Sequence, residues 1–258
     1  MYPDLFGIHD FSYIFMIILG VVALSVLLVI YLKHKGLKKE SYLDLLIVVM
    51  VTIFVGVLFA MLFENVYEAI KHAIYNEPQK FTFAMTFYGG LITGIPTFIL
   101  MYNLYYLKHN PPVMKDILVI APACISLGHA FGRIGCFMAG CCYGIEVHSG
   151  WGMHFPTHNN QYLLPTQLIE AIFLFGLSAI LIFLAFKFDF AYNFVIYCGF
   201  YGIFRFIIEF FRGDERGQLA GLSPSQYWCI VLVLITVPLF FYLRNRSLKE
   251  GKELKNEI

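Results

Sequence analysis

The chain has 258 residues, of which 59% are hydrophobic and 14% are charged, and its formal net charge is +1. So little charge cannot solvate the surface of a soluble protein of this length. A net charge near zero, with no basic face outside short segments, also excludes nucleic acid as a partner. The composition therefore predicts an integral membrane protein.

Seven apolar segments are each long enough to cross a hydrocarbon layer of roughly 30 Å, which takes about 20 helical residues. The N-terminal residues 1–4 lack the basic region of a cleavable signal peptide, so we expect the first segment to stay in the membrane. We predict an all-α fold with a single membrane domain over 1–258. The predicted spans are 11–32, 43–63, 83–107, 114–139, 167–186, 191–211 and 226–243.

The distribution of lysine and arginine sets the orientation, because these residues accumulate in cytoplasmic loops. With seven spans and an external N-terminus, twelve of the eighteen basic residues fall inside and four fall outside. Arg133 and Arg205 are the remaining two and lie within or at the edge of spans. The sequence thus predicts an internal C-terminus, an external cap loop over 141–165 and a short basic cytoplasmic tail over 244–258.

Arg133 lies in the segment GHAFGRIGCFMAGCCYG, residues 128–144, among apolar and small side chains near the end of a predicted span. A guanidinium group at such a place is expensive, which indicates a function. Gly128, Gly132 and Gly135 flank the arginine. They would let another backbone or a ligand come close to it.

Two further polar segments are predicted on the same side of the membrane. In YGIFRFIIEFFRGD, polar residues recur at spacings of four, four and three, which places them on one helical face. They are Tyr201, Arg205, Glu209 and Arg212. In LPTQLIEA, Pro165 opens a helix whose first turns carry Gln167 and Glu170. A carboxylate and an amide at this place can position an arginine.

These segments allow two interpretations. In the first they are structural, because Arg205 pairs with Glu209 within one helix and Arg133 pairs with Glu170. In the second, two arginines with only partial carboxylate compensation bind an anion, since the guanidinium fork matches phosphate oxygens in a bidentate way. In a membrane the obvious anion is a phospholipid head group, and we prefer this second interpretation.

Five sequence blocks follow one another along most of the chain. They are FYGGLITG at 87–94, GRIGCF at 132–137, PTQLIE at 165–170, YGIFRFIIEFFRGD at 201–214 and SPSQ at 223–226. In their order, and with seven spans and an external N-terminus, the chain resembles the prolipoprotein diacylglyceryl transferases. The resemblance implies a multi-pass protein of the bacterial cytoplasmic (inner) membrane.

The resemblance also implies a reaction within the lipid bilayer, in which a diacylglyceryl group passes from phosphatidylglycerol to the lipobox cysteine of a prolipoprotein signal peptide. A thioether forms and glycerol phosphate leaves, without any metal or diffusible cofactor. By resemblance, Arg133 and Arg205 bind and neutralise the phosphate, and Tyr201 orients the head group. The supporting positions are Gly89, Gly90, Gly132, Gly135, Gln167, Glu170, Glu209 and Arg212.

The chain departs from the family's usual signature, G-R-x-G-N-F-x-N-x-E-x-x-G, at three positions. Where that signature has two asparagines and a glutamate, this chain has Cys136, Ala139 and Cys141. The histidine that usually precedes the two glycines of the third span is Tyr88 here. A phenol, with a pKa of about 10, is a poor base at neutral pH. The proton acceptor for the incoming thiol is therefore Tyr88 or His129, unless His129 is only a polar group of the bundle.

Three cysteines support a different class of hypothesis, since Cys136, Cys141 and Cys142 are predicted on the external side, where disulfides form. They could serve an intramembrane thiol oxidoreductase, or they could bind a metal together with histidines of the cap loop. The spacing C-x4-C-C matches no standard redox or zinc pattern. The simpler interpretation is structural: Cys141 and Cys142 pack against neighbouring side chains, or one of them forms a disulfide with Cys136 that stiffens the loop.

A third hypothesis is a non-enzymatic lipid-binding or transport protein on the same scaffold. Transporters place their broken helices and polar sites near the bilayer centre and show internal repeats. This chain shows no repeat, and its polar residues are predicted at the external face. That placement favours chemistry on a lipid head group.

Overall fold

The structure is a computed structural model and shows an almost entirely helical protein. The residues that it describes are 11–75, 87–109, 114–148, 150–155, 158, 161–213 and 221–256. The elements in chain order are α1 (Phe11–His34), α2 (Lys39–Tyr75), α3 (Phe87–Met101), a π-helical turn (Tyr102–Tyr106), α4 (Leu107–His109), α5 (Met114–Ala139), β1 (Met153–Phe155), β2 (Gln161–Leu163), α6 (Thr166–Phe188), α7 (Asn193–Glu209) and α8 (Pro224–Asn256).

Five of the described helices are long and apolar enough to cross a membrane, which confirms the prediction of an all-α, multi-pass membrane protein. Their outward faces carry large apolar side chains, such as Phe54, which is 69% exposed, and Leu234, which is 64% exposed. Such faces fit a hydrocarbon environment and would be unfavourable in water. The five segments are Phe11–His34, Lys39–Val66, Met114–Ala139, Thr166–Phe188 and Pro224–Asn245.

The other two predicted spans fall on shorter helices. The helix α7 has 17 residues. The helix α3 has 15 residues before the backbone widens into the π-helical turn at Tyr102. Pro96 lies inside α3 and has no N–H to donate to the helix. The count of seven spans and the orientation therefore stay predictions.

The chain divides into two compact units. The first unit contains Met1–Tyr31 and Met114–Ile258, and thus most of α1, the helices α5 to α8 and both strands. The second unit is Leu32–Val113 and holds α2, α3 and α4. Of the predicted site residues, Tyr88 and the two glycines that follow it belong to the second unit, and all others belong to the first.

In the second unit, α2 and α3 approach each other closely at Gly89 and Gly90. A Cβ atom on Gly89 would lie 2.9 Å from the Cβ of Phe63 and 3.1 Å from the Cα of Ala60. A Cβ atom on Gly90 would lie 3.3 Å from the carbonyl oxygen of Gly56. Small residues permit this kind of approach between membrane helices. The structure thus gives both glycines a part in helix packing.

In the first unit, buried side chains connect α5 to α6 and α7. Ser126 donates a hydrogen bond of 2.9 Å to the carbonyl oxygen of Leu174, and Ser178 donates one of 3.0 Å to that of Ala123. Asn193, at the start of α7, donates to carbonyl oxygens of both α5 and α6, at 2.9 and 3.2 Å. Because a polar group without a partner is costly in hydrocarbon, these bonds fix the register of the three helices.

The helix α1 crosses α5 at glycine residues. A Cβ atom on Gly20 would lie 3.0 Å from the carbonyl oxygen of Gly128, and one on Gly135 would lie 3.1 Å from the ring of Tyr13. Two of the three glycines predicted to permit close approach therefore face α1. At Gly132 the described residues leave open space within 4 Å of a Cβ position, so this glycine adjoins Arg133 without a packing role.

The predicted cap loop contains a short antiparallel hairpin, in which β1 pairs with β2. A backbone bridge joins Gly144 in the cap to Arg212, just beyond the end of α7. Phe155 is fully buried and packs its ring against the rings of Phe137 and Tyr143. The cap is thus held to the end of α5, the start of α6 and the end of α7.

Candidate active site

The Glu170 carboxylate lies at the centre of a polar cluster in the first unit. It sits in the first turns of α6, and its side chain is 1% exposed. Its Oε1 atom lies 3.1 Å from Nε of Arg133 and 3.9 Å from Nε of Arg205. The same oxygen accepts a hydrogen bond of 3.0 Å from the hydroxyl of Tyr201. One carboxylate thus joins α5, α6 and α7.

Arg205 connects this carboxylate to a second one. Its Nη2 lies 2.7 Å from Oε2 of Glu209, four residues further along α7. Glu209 also accepts a hydrogen bond of 2.8 Å from the hydroxyl of Ser223. Ser223 opens α8 in a capping box with Gln226: its N–H donates to Oε1 of Gln226, and the N–H of Gln226 donates to its hydroxyl.

The role of Ser223 is one that sequence reasoning missed, although the block SPSQ was among the recognised motifs. The signal that could have found it is the pattern S-x-x-Q before an apolar run, which marks a helix start. The structure shows that the same hydroxyl serves the cap and the carboxylate of Glu209. The start of α8 therefore belongs to the polar cluster.

Both ion pairs of the structural interpretation are present, Arg133 with Glu170 and Arg205 with Glu209. They do not use all of the buried polar atoms. Among the described residues, Nη1 of Arg205, Oε2 of Glu170 and Oε1 of Gln167 are buried and have no hydrogen-bond partner. A buried polar atom without a partner is costly. These three atoms are the part of the cluster's hydrogen-bonding capacity that the described contacts leave unused, one donor and two acceptors.

His129 lies beside the same carboxylate, on the face of α5 that carries Arg133. Its Nε2 is 3.9 Å from Oε1 of Glu170, and its ring meets that of Tyr201 edge-on with centroids 5.2 Å apart. The His129 side chain is 22% exposed, against 14% for Arg133 and 6% for Arg205. Of these three groups, the imidazole is the most accessible to a substrate.

A turn with three cysteines, which we call the cysteine turn (136–142), begins in the last turn of α5. The sulfur atoms of Cys136, Cys141 and Cys142 lie within 4.8 Å of one another, and none of the three is in a disulfide. Side chains of α6 hold this turn, since Gln167 donates a hydrogen bond of 2.6 Å to the carbonyl oxygen of Cys141 and Thr166 donates one of 2.9 Å to that of Cys142. The described hydrogen bond of Gln167 is thus with the cysteine turn, and its predicted part in positioning an arginine stays a prediction.

Positive charge and thiol donors act on Cys142, which lies outside the membrane-spanning segments. The neighbouring thiols of Cys136 and Cys141, with smaller effects of the guanidinium groups of Arg212 and Arg133, hold the pKa of Cys142 below its usual value. The guanidinium group of Arg212 acts on the cysteine turn, and its predicted support of the anion site stays a prediction.

Tyr88 lies in the second unit, at the start of α3. Its side chain is outside the described residues. Its predicted part as a proton acceptor stays a prediction.

The comparison with known proteins assigns the chain to a family. Residues 4–242 match the family model described as prolipoprotein diacylglyceryl transferase. The chain belongs to this family. The match confirms the resemblance drawn from the sequence blocks, and it does not favour the thiol oxidoreductase or the lipid carrier.

Two relatives in the prolipoprotein diacylglyceryl transferase family extend over nearly the full length of the chain, and a third covers more than half of it. A phosphatidylglycerol–prolipoprotein diacylglyceryl transferase of Clostridium tetani is 33% identical over 251 residues, which cover 95% of this chain and 97% of the relative. The second transferase of that name in Clostridium perfringens is 29% identical over 259 residues, with 97% of both chains covered. The transferase of one Dehalococcoides mccartyi strain is 34% identical over 152 residues, 57% of this chain and 58% of its own.

Replacing Glu170 by Gln tests whether its charge holds the cluster together. A buried charge left without its partner costs about 3–5 kcal/mol, so we expect Glu170→Gln to lower the thermal unfolding midpoint of the detergent-purified protein markedly. The matched control is Glu146→Gln, because Glu146 is exposed in the cap and should leave the midpoint near that of the unmodified protein. Equal midpoints for the two variants would contradict a structural role for the carboxylate.

Proposed function

We propose that this chain transfers the diacylglyceryl group of phosphatidylglycerol to the thiol of the lipobox cysteine in prolipoprotein signal peptides. A C–S bond forms at the glycerol carbon that carried the phosphate, and the C–O bond to the phosphate breaks. Glycerol phosphate leaves, and the thiol proton passes to a base. Family membership supports this reaction, since relatives in two clostridia are named for it.

The observation that supports the chemistry most directly is the buried Nη1 of Arg205, which has no hydrogen-bond partner among the described residues. Arg205 reaches the same carboxylate oxygen as Arg133, so the two guanidinium groups converge on one place. Guanidinium donors match phosphate oxygens in geometry and charge. We therefore assign the phosphate of phosphatidylglycerol to these two arginines.

Charge explains why this arrangement favours the transition state. Three guanidinium groups carry positive charge here: those of Arg133 and Arg205 in the cluster, and that of Arg212 close to the cysteine turn. Two carboxylates, those of Glu170 and Glu209, carry negative charge. One formal positive charge is left over. A phosphodiester carries one negative charge, and the leaving glycerol phosphate gains a second as the C–O bond breaks. The attraction therefore grows along the reaction, which is what lowers a barrier.

We assign a positioning role to Glu170 and Tyr201. The Oε1 atom of Glu170 is taken by Arg133 and by the hydroxyl of Tyr201, which keeps the carboxylate and both arginines in place. Its Oε2 atom is buried and has no hydrogen-bond partner among the described residues. This oxygen can accept a hydrogen bond from a hydroxyl of the head-group glycerol, which would orient the phosphodiester for attack.

We assign the thiol proton to His129. The imidazole is the most accessible group of the cluster, and its Nε2 lies 3.9 Å from a Glu170 oxygen, whose charge would stabilise the imidazolium. A positioned base of this kind typically contributes about 10²–10⁴-fold to the rate. Tyr88 is the alternative that follows from the family's motif.

The arginine assignment predicts the effect of removing either guanidinium. Loss of one donor to a developing anion typically costs about 10²–10³-fold in rate, so we expect Arg133→Ala and Arg205→Ala to reduce transfer by that amount. Lysine at either position should also be poor, because it lacks the fork. Mass spectrometry of a lipobox peptide incubated with phosphatidylglycerol and purified protein measures the transfer. The control is Arg244→Ala, an exposed position in the second half of α8. Normal transfer by a folded Arg133→Ala variant would contradict the proposal.

The same assay separates the two candidate bases. If His129 accepts the proton, His129→Gln should slow transfer by about 10²-fold or more, and Tyr88→Phe should keep most of the activity. The reverse result would assign the proton to Tyr88 and reject His129. Thermal unfolding of both variants shows whether a loss of transfer comes from chemistry or from an unfolded protein.

We also propose that all seven predicted segments span the inner membrane, with the N-terminus outside and the C-terminus inside. The end of α5, the start of α6, the end of α7 and the start of α8 meet in the polar cluster. The chain therefore runs away from the cluster along α6 and returns along α7, whose 17 residues extend about 26 Å. The excess of basic residues in the predicted internal segments supports the orientation.

Fusions to reporter proteins test this topology. A green fluorescent protein at the C-terminus should fluoresce and an alkaline phosphatase there should be inactive, because the C-terminus is proposed to lie inside. A phosphatase joined after residue 150, in the cap, should be active. An active C-terminal phosphatase would contradict the orientation.

A further inference from the structure

We propose that the cysteine turn (136–142) is a binding site for one thiophilic d¹⁰ cation, Zn²⁺ or Cu⁺, held by the sulfur atoms of Cys136, Cys141 and Cys142. This inference goes beyond the proposed transfer reaction, which needs no metal. It rests on the convergence of the three sulfurs within 4.8 Å of one another.

The spacing of the sulfurs is close to what such an ion requires. Thiolate ligands bind zinc at about 2.3 Å, which sets neighbouring sulfurs about 3.8 Å apart in tetrahedral geometry and about 4 Å apart in trigonal geometry. The upper limit of 4.8 Å in the structure exceeds these values by only about 1 Å. Small side-chain rotations therefore suffice to bring all three sulfurs onto one ion.

The backbone that carries the sulfurs is fixed by buried groups. Thr166 and Gln167 are 1% and 0% exposed and donate hydrogen bonds to the carbonyl oxygens of Cys142 and Cys141. Cys142 has a φ of 64°, in the left-handed region that a residue with a side chain rarely adopts. Cys136 is itself buried at the end of α5. The fold thus maintains a costly conformation that places Cys142 beside the other two cysteines.

Charge near the cysteine turn favours a metal–thiolate group. Three thiolates with one Zn²⁺ or Cu⁺ carry a net negative charge, which is unfavourable at the edge of a membrane unless positive charge lies close by. The guanidinium groups of Arg212 and Arg133 act on Cys142 and supply it. Oxygen-binding ions such as Mg²⁺ are disfavoured, because thiolates select soft metals.

The described residues place three sulfur ligands at this site and no histidine nitrogen within the same group. His158, one of the cap-loop histidines, has its Nε2 3.1 Å from the carbonyl oxygen of Gly140. Three sulfurs suit a trigonal Cu⁺ ion, or a Zn²⁺ ion whose fourth position is open to water. A bound ion would tie Cys136, at the end of α5 and three residues after Arg133, to the two cysteines whose carbonyl oxygens Thr166 and Gln167 of α6 hold.

Metal content and thiol reactivity of the full chain test this proposal. Protein purified in detergent without a histidine tag is reduced, freed of metal, and loaded with Zn²⁺ or, in a separate anaerobic arm, with Cu⁺. We expect one ion per chain by mass spectrometry of the metal in at least one arm. We also expect protection of three thiols from a thiol reagent, and a higher thermal unfolding midpoint. The Cys142→Ser variant should lose the bound ion, and the matched control Cys198→Ser, in α7, should keep it.

Several outcomes would overturn the proposal. One is that the reduced, unmodified protein binds neither ion, which decides the question even where a variant fails to fold. Another is that Cys142→Ser and Cys198→Ser bind the same amount of metal. A third is that two of the three thiols form a disulfide in the purified protein and that the protein takes up no metal after this disulfide is reduced. That result would identify the cysteine turn as a redox or structural bridge. Normal lipid transfer by the metal-free protein would leave the proposed reaction intact, so the two proposals fail independently.

Discussion

The carboxylate of Glu170 is the constraint on which the rest of the first unit depends. Two arginines at the edge of a bilayer cannot remain charged and desolvated without a partner, and a buried carboxylate cannot either. The opposite charges neutralise one another, because one oxygen of Glu170 faces Arg133 from α5 and Arg205 from α7. The hydroxyl of Tyr201 donates a hydrogen bond to the same oxygen. These polar contacts thereby constrain the relative rotation of the three helices.

The chain of contacts continues from this carboxylate to both ends of the polar cluster. Through Arg205 it reaches Glu209 and then the hydroxyl of Ser223, which caps α8. Through the first turn of α6 it reaches the cysteine turn, since Gln167 holds a carbonyl oxygen there. A change in one of these groups therefore affects helix packing and ligand binding together, as expected where charged side chains in a membrane both stabilise the fold and form the site.

The departures from the family signature gain a physical meaning in this arrangement. Where the resemblance leads one to expect two amides and a carboxylate, this chain has the thiols of Cys136 and Cys141 and the methyl group of Ala139. The arginine of the motif keeps its carboxylate, but that carboxylate comes from α6 through Glu170. The polar environment of Arg133 is thus supplied by tertiary contacts and not by its own motif. The thiols of the cysteine turn are therefore not needed as partners of Arg133, and we propose that they bind a metal ion.

The sequence by itself determined the features that depend on local periodicity and composition. Apolar length predicted the membrane helices, the spacing of four placed Arg205 and Glu209 on one face, and the order of the motifs indicated the family. Only the tertiary structure decided that Glu170 is shared by two arginines, that Gln167 serves the cysteine turn, that Ser223 bonds Glu209, and that three sulfurs separated by C-x4-C-C converge. The reason is physical: a helix repeats every 3.6 residues regardless of its surroundings, whereas contacts between helices depend on their rotation and register, which the buried polar bonds of the whole unit set together.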